Sequence, residues 1–148
     1  MLEIELDSQI LSSIGSAFGH PNNSRAVEAL VEFKNHPDPD VRFGVVMGVS
    51  CIETSLAIDT LIELTFDDDF DVRNWATFNL GVQLDLDNEA IREALWQRIL
   101  QENVDEDYEI YGEALVGLAK RKDNRIIPIL LDELKSDRVN YLAVEAAE

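Results

Sequence analysis

The sequence predicts an all-α fold, an α-α superhelix of about four and a half helix pairs, and three observations predict it. Apolar residues recur in register at spacings of 31, 31, 36 and 31 along the 148-residue chain. Within each recurrence they repeat at four and eight residues, which keeps them on one helical face. Strand signals are missing, since the chain has no sustained period-two alternation and no Asn-Gly or Asp-Gly hairpin turn.

The first helix of each unit, helix A, is defined by the column Ile10, Val41, Val72, Tyr108 and Val139. Four residues on lie Ile14, Val45, Ala76, Gly112 and Ala143, and eight on lie Phe18, Val49, Leu80, Val116 and Ala147. Three residues before the column stand Asp7, Asp38, Asp69, Asp105 and Ser136. All are N-cap residue types, whose side-chain oxygens accept the unpaired N–H groups of a first turn. Helix B follows in the first four units, anchored at Val27, Ile58, Ile91 and Ile127. Its second apolar step is Leu30 and Val31, Leu61 and Ile62, Ala94 and Leu95, and Leu130 and Leu131. The long third spacing is absorbed at turns, where insertions leave packing intact. The units run 7–36, 37–67, 68–103 and 104–135, with a half unit at 136–148, in one domain over 1–148.

A lone helix pair cannot bury its own apolar stripe, so each pair stacks on its neighbours. Gly44, Gly48, Ala76, Gly81, Gly112, Gly117 and Ala143 fall in the A helices and allow close approach. A half unit at the end calls for a cover, from a partner, a second copy or further chain.

Pro39-Asp40-Val41-Arg42 and Phe70-Asp71-Val72-Arg73 resemble the Asp-Val-Arg signature of HEAT repeats. The stretches from Asp71 to Gly81 and from Gly112 to Ala119 resemble bacterial units of the short kind found in phycobilin lyases. The similarity covers about residues 24 to 148. It implies the solenoid fold, and it implies function only loosely, because such arrays serve many tasks. It also implies a ladder in which the arginine after the column meets an aspartate of the next unit. That pairs Arg42 with Asp71 and Arg73 with Asp107, as exposed ion pairs. The ladder stops there, because Glu109 and Asn140 replace the arginine in later units.

Charge is the dominant compositional feature: 30 acidic residues against 12 basic ones, a net of −18. Such a field repels phosphate backbones, so no nucleic-acid partner is expected. It either serves solubility or attracts basic proteins. No apolar run reaches the ~18 residues of a membrane span. The first residues, MLEIELD, are acidic rather than signal-like, and Cys51 is the single cysteine. Both fit a cytoplasmic protein.

No catalytic constellation, metal site or cofactor is expected. His20 and His36 each precede a proline where helices should end, and read as loop residues. Cys51 has no nearby base and reads as a small apolar filler at a buried helix end. Asp67, Asp69 and Asp71 have the one-three-five spacing of a calcium loop, but Val72 and Phe78 stand where Gly and Glu are needed. Lys120, Arg121, Lys122 and Arg125 form a basic cluster at a helix C-terminus, where the dipole favours cations. Asn79 and Gln83 read as a buried amide pair or as ligand contacts. The resemblance also admits a pigment lyase or accessory protein, an alternative to which no residue here points. A glycosylase of the same family needs a basic groove, the opposite of this charge.

The resemblance places helix B on the concave face of the array. Its outward positions are Glu28, Glu32, Asp59, Glu63, Arg92, Glu93, Trp96, Gln97, Asp132 and Glu133. They form an acidic stripe with one tryptophan inside it. The stripe is either a solvated face or the docking face of a scaffold for a basic protein, with Trp96 as its anchor. An immunity protein that neutralises a basic toxin is the concrete form of the second reading. The oligomeric state is left open by the sequence.

Overall fold

A computed structural model describes residues 24–101, 108–133 and 135, with side-chain surroundings from Val27 onward. The first A helix with Asp7, Ile10, Ile14 and Phe18, His20, the cap Asp105, Asp107, and the half unit with Ser136, Val139, Ala143 and Ala147 lie outside the described residues. Among those described, the regular elements are helices and none is a strand. The chain divides into two compact units, Met1–Ala76 and Thr77–Glu148.

In the first unit, α1 (Ser24–Val31), α2 (Pro39–Val49) and α3 (Ser55–Leu64) pack on one another, and α4 (Phe70–Phe78) begins. Each start is chemically marked. Asp38 caps α2 by accepting from Asp40 N–H, with Pro39 in the first turn, where a missing N–H costs nothing. Thr54 accepts from Ala57 N–H at 3.3 Å to cap α3, and Asp69 accepts from Val72 N–H at 3.1 Å to cap α4. The expected columns are buried: Val41, Val45 and Val49 in α2, Val72 and Ala76 in α4, Val27 and Leu30 in α1, Ile58 and Leu61 in α3.

Cys51 departs from its expected place. It is exposed, with φ of 60° just past α2, and Ile52 is the buried neighbour. A left-handed residue after a helix end reverses the chain, which here leaves the thiol outside.

In the second unit the chain continues from α4 into a π-helical turn, Asn79–Gln83, then α5 (Glu89–Gln101) and α6 (Tyr108–Lys120). A 3-10 turn, Asn124–Ile126, leads into α7 (Ile127–Glu133). Asn88 caps α5 by accepting from Ile91 N–H at 2.9 Å. The packing of α5, α6 and the π turn buries Leu80, Ile91, Leu95, Ile110, Leu115 and Leu118. Gly81 and Gly117 mark the closest approach, because a Cβ on Gly117 would stand 2.6 Å from Gly81 Cα.

Three expected positions in this unit turn outward. Tyr108 is 55% exposed, Ile127 51% and Leu131 52%, while Ile110, Tyr111 and Ile126 are buried. The apolar face of α6 starts at Ile110, two residues inside the helix. At α7 the 3-10 turn winds by three residues rather than 3.6, which moves the buried face from Ile127 to Ile126. Asn79 is buried but Gln83 is exposed where the π turn ends, so the two amides do not form a buried pair.

Candidate partner-binding face

In the first unit the outward positions of both B helices are open. Glu28 on α1, Glu32 just past its end, and Asp59 and Glu63 on α3 are all exposed. Lys34, in the turn after α1, forms an ion pair with Glu63. Beside that pair lies a depression of about 360 Å³, lined by residues that include Lys34, His36, Arg42, Phe66, Asp67 and Asp68.

Arg42, at this depression, and Arg73, one repeat on, do the same job. Arg42 NH1 donates to the carbonyls of His36 at 2.8 Å and Pro37 at 3.2 Å, six and five residues back. Arg73 NH1 donates to the carbonyls of Asp67 at 2.8 Å and Asp68 at 3.3 Å, again six and five back. Each arginine thus ties its own A helix to the turn before it. The side chain six residues back braces the same turn from within. His36 Nδ1 accepts from Asp38 N–H at 3.2 Å, and Asp67 Oδ1 accepts from Asp69 N–H at 2.9 Å.

The acid that Arg42 meets is Asp67 rather than Asp71. Nε and NH2 donate to its two oxygens, both at 2.7 Å. Asp71 instead sits exposed in the first turn of α4. The expectation of an exposed pair also gives way, since the two side chains are 15% and 7% exposed. Burial works to raise the Asp67 pKa, but the Arg42 hydrogen bonds and the Asp69 amide outweigh it and leave the carboxyl below its ordinary value. The Arg42 pKa is raised by its hydrogen bonds to Asp67. The Asp107 half of the Arg73 rung lies outside the described residues.

In the second unit, Arg125 meets the outward positions Glu93 and Trp96, and Arg92 is itself paired. Arg92 makes a two-pronged pair with Asp87 at 2.7 and 2.6 Å. Glu93 accepts from Gln97 at 2.8 Å and from Arg125 NH1 at 2.9 Å. Trp96 is half-buried, and the guanidinium carbon of Arg125 lies 4.9 Å from its ring centroid. Arg125 also donates to both oxygens of Asp123, with NH2 to Oδ2 at 2.8 Å. These hydrogen bonds, to Asp123 and then Glu93, raise the Arg125 pKa despite burial. Asp132 is exposed and Glu133 half-buried.

Arg121, one of the basic cluster expected at a helix C-terminus, takes that place and is 4% exposed. Its guanidinium makes six hydrogen bonds of 2.8–3.0 Å to the carbonyls of Leu80, Gly81, Leu84, Leu86 and Gly117. Those of Leu80, Gly81 and Leu84 end the π turn and that of Gly117 the last turn of α6, so one cation caps two helix C-termini. A Schellman turn aims it there: Lys122 N–H bonds Ala119 O at 2.8 Å and Asp123 N–H bonds Leu118 O at 3.0 Å. Lys122 takes φ of 55° at the position where glycine is usual.

A model of HEAT repeats matches residues 4–81. The chain belongs to the HEAT-repeat family. This match carries the HEAT pattern back to residue 4, ahead of the stretch from residue 24 on which the resemblance was read. Protein YibA of Escherichia coli K12 is 38% identical over 108 residues, as is its counterpart in strain O157:H7. That match covers 73% of this chain and 37% of YibA, so the chain spans well under half the length of these relatives. An X-ray structure of E. coli YibA superposes with a TM-score of 0.68 at 26% identity, covering 99% of this chain and 59% of that one. The all-α HEAT fold follows from both comparisons. Among the described residues, no helix is long and apolar enough to cross a membrane.

Proposed function

We propose that this HEAT-repeat chain is a non-catalytic scaffold whose acidic B-helix face holds a basic protein partner. The observation that carries the reading is the set Glu28, Glu32, Asp59 and Glu63, all exposed on or just past the two B helices of one compact unit. In a chain of net charge −18, such a face steers a cationic surface toward itself. Nucleic acid carries the wrong sign for it. An immunity protein that neutralises a basic toxin in the cytoplasm is the concrete form of the proposal.

The test is capture of the partner by pull-down with mass spectrometry, followed by surface plasmon resonance at two ionic strengths. The double variant Asp59→Lys, Glu63→Lys should slow association about ten-fold at low salt, with the loss shrinking as salt rises. Asp71→Lys, on an A helix, is the control. Wild-type association by the double variant, with loss in the control, would remove the B-helix face as the binding surface.

A further inference from the structure

Arg125 is surrounded by what a protein uses to recognise a guanidinium. Its carbon lies 4.9 Å from the centroid of Trp96. NH1 donates to Glu93 Oε2 at 2.9 Å, and Nε and NH2 donate to Asp123 at 3.0 and 2.8 Å. An aromatic face and two carboxylates satisfy the planar cation on its face and along its edges. Arg121, four residues earlier, shows what a permanent arginine looks like in this fold, 4% exposed and spent on main-chain carbonyls. The Arg125 side chain is instead 38% exposed and its partner Glu93 52%. Exposed pairs of that kind exchange at little cost.

The receiving groups do not depend on Arg125 for their positions. Glu93 is also held by Gln97 at 2.8 Å. The Asp123 side chain is 8% exposed and accepts from the main-chain N–H of residue 125 at 3.1 Å, a bond that outlasts any side-chain movement. Trp96 is half-buried on α5. We propose that Glu93 and Trp96 of α5, with Asp123 in the turn after α6, form a guanidinium-binding site, and that Arg125 fills it in cis until an arginine of the partner displaces it. This rests on the reading of the chain as a scaffold for a basic protein, and names the side chain it takes. Arg125 is then a competitor, and removing it raises affinity.

The experiment measures binding of a fluorescein-labelled hexa-arginine peptide to the full chain by anisotropy, with thermal melts to confirm folding. Arg125→Gln should bind about three- to ten-fold tighter than wild type. Lys135→Gln, which changes net charge equally at an exposed residue, should shift affinity less than about two-fold. Adding Trp96→Ala to Arg125→Gln should cancel the gain. Arg125→Lys keeps the charge but cannot span both carboxylates, so it should fall between wild type and Arg125→Gln. It carries the test if the glutamine variant does not fold. Equal affinities for Arg125→Gln, Arg125→Lys and Lys135→Gln overturn the proposal. The scaffold reading is judged separately, by the Asp59→Lys, Glu63→Lys pair against the captured partner.

Discussion

Gly117 lies so close to Gly81 that the two helix backbones touch without an intervening side chain. A Cβ on Gly117 would stand 2.6 Å from Gly81 Cα and 2.9 Å from Leu95 Cδ1. Alanine normally favours a helix over glycine by about 1 kcal/mol, but backbone cannot yield as a side-chain tip does. Gly117→Ala is therefore expected to destabilise by about 2–3 kcal/mol, measured by urea unfolding. Gly81→Ala, whose Cβ would meet Glu113 O at 2.9 Å, should cost less. A Gly117→Ala variant as stable as wild type would show that the helices part easily.

The Arg42–Asp67 pair should carry a pH signature. The Asp67 pKa is lowered in the fold, so its stabilisation is present above the unfolded carboxylate value and lost as pH falls through the folded one. Asp67→Asn should cost about 2–3 kcal/mol at pH 7, between the ~1 kcal/mol ceiling of exposed pairs and the ~3–5 kcal/mol of fully buried ones. The gap to wild type should begin to narrow at about pH 4, the unfolded carboxylate value, and close once pH falls below the folded one. Unfolding series at several pH values test this, and a gap that stays constant into acid contradicts it.

Arg121→Met should be among the most damaging single changes. It removes six hydrogen bonds and leaves carbonyls of five residues without that donor. The expected loss is about 3 kcal/mol or more. Arg121→Lys should recover only part, because an ammonium cannot reach both helix ends from one position. Calorimetric melting separates the two.

Val72 is fully buried in α4. Val72→Asp places an uncompensated carboxylate there, with an expected loss of about 3 kcal/mol or more. A melting temperature within a few degrees of wild type would show that the core tolerates charge at this position.

What the sequence made legible is what depends on near neighbours. Val41, Val45, Val49, Val72 and Ala76 were placed in the core by the helical period, and Asp38 and Asp69 at helix starts by cap chemistry. Tyr108 and Ile127 escaped the same reasoning. A short 3-10 turn ahead of Ile127 shifts the register, and such a turn leaves no periodic mark. The arginine after the column was recognised as an ion-pair former, but its acid was misplaced by four residues. Asp67 is drawn toward Arg42 by a turn it closes itself, through the Asp69 amide. Arg121 was grouped with its sequence neighbours although most of its hydrogen-bond partners lie 35–41 residues away. Trp96 was legible as an aromatic among acids. The cation that stacks on it comes from another turn and was not.

The reach of Arg121 bears on how the protein is made. The helix that ends in the π turn offers its last carbonyls, at Leu80 and Gly81, to a side chain 41 and 40 residues downstream. On the ribosome that segment is synthesised well before Arg121 is. At about 5–20 residues per second the interval lasts roughly 2–8 s. Until α6 arrives, water must satisfy those carbonyls, and the helix end frays. Those two helix ends therefore gain their shared cap in one late step, when a single residue closes both.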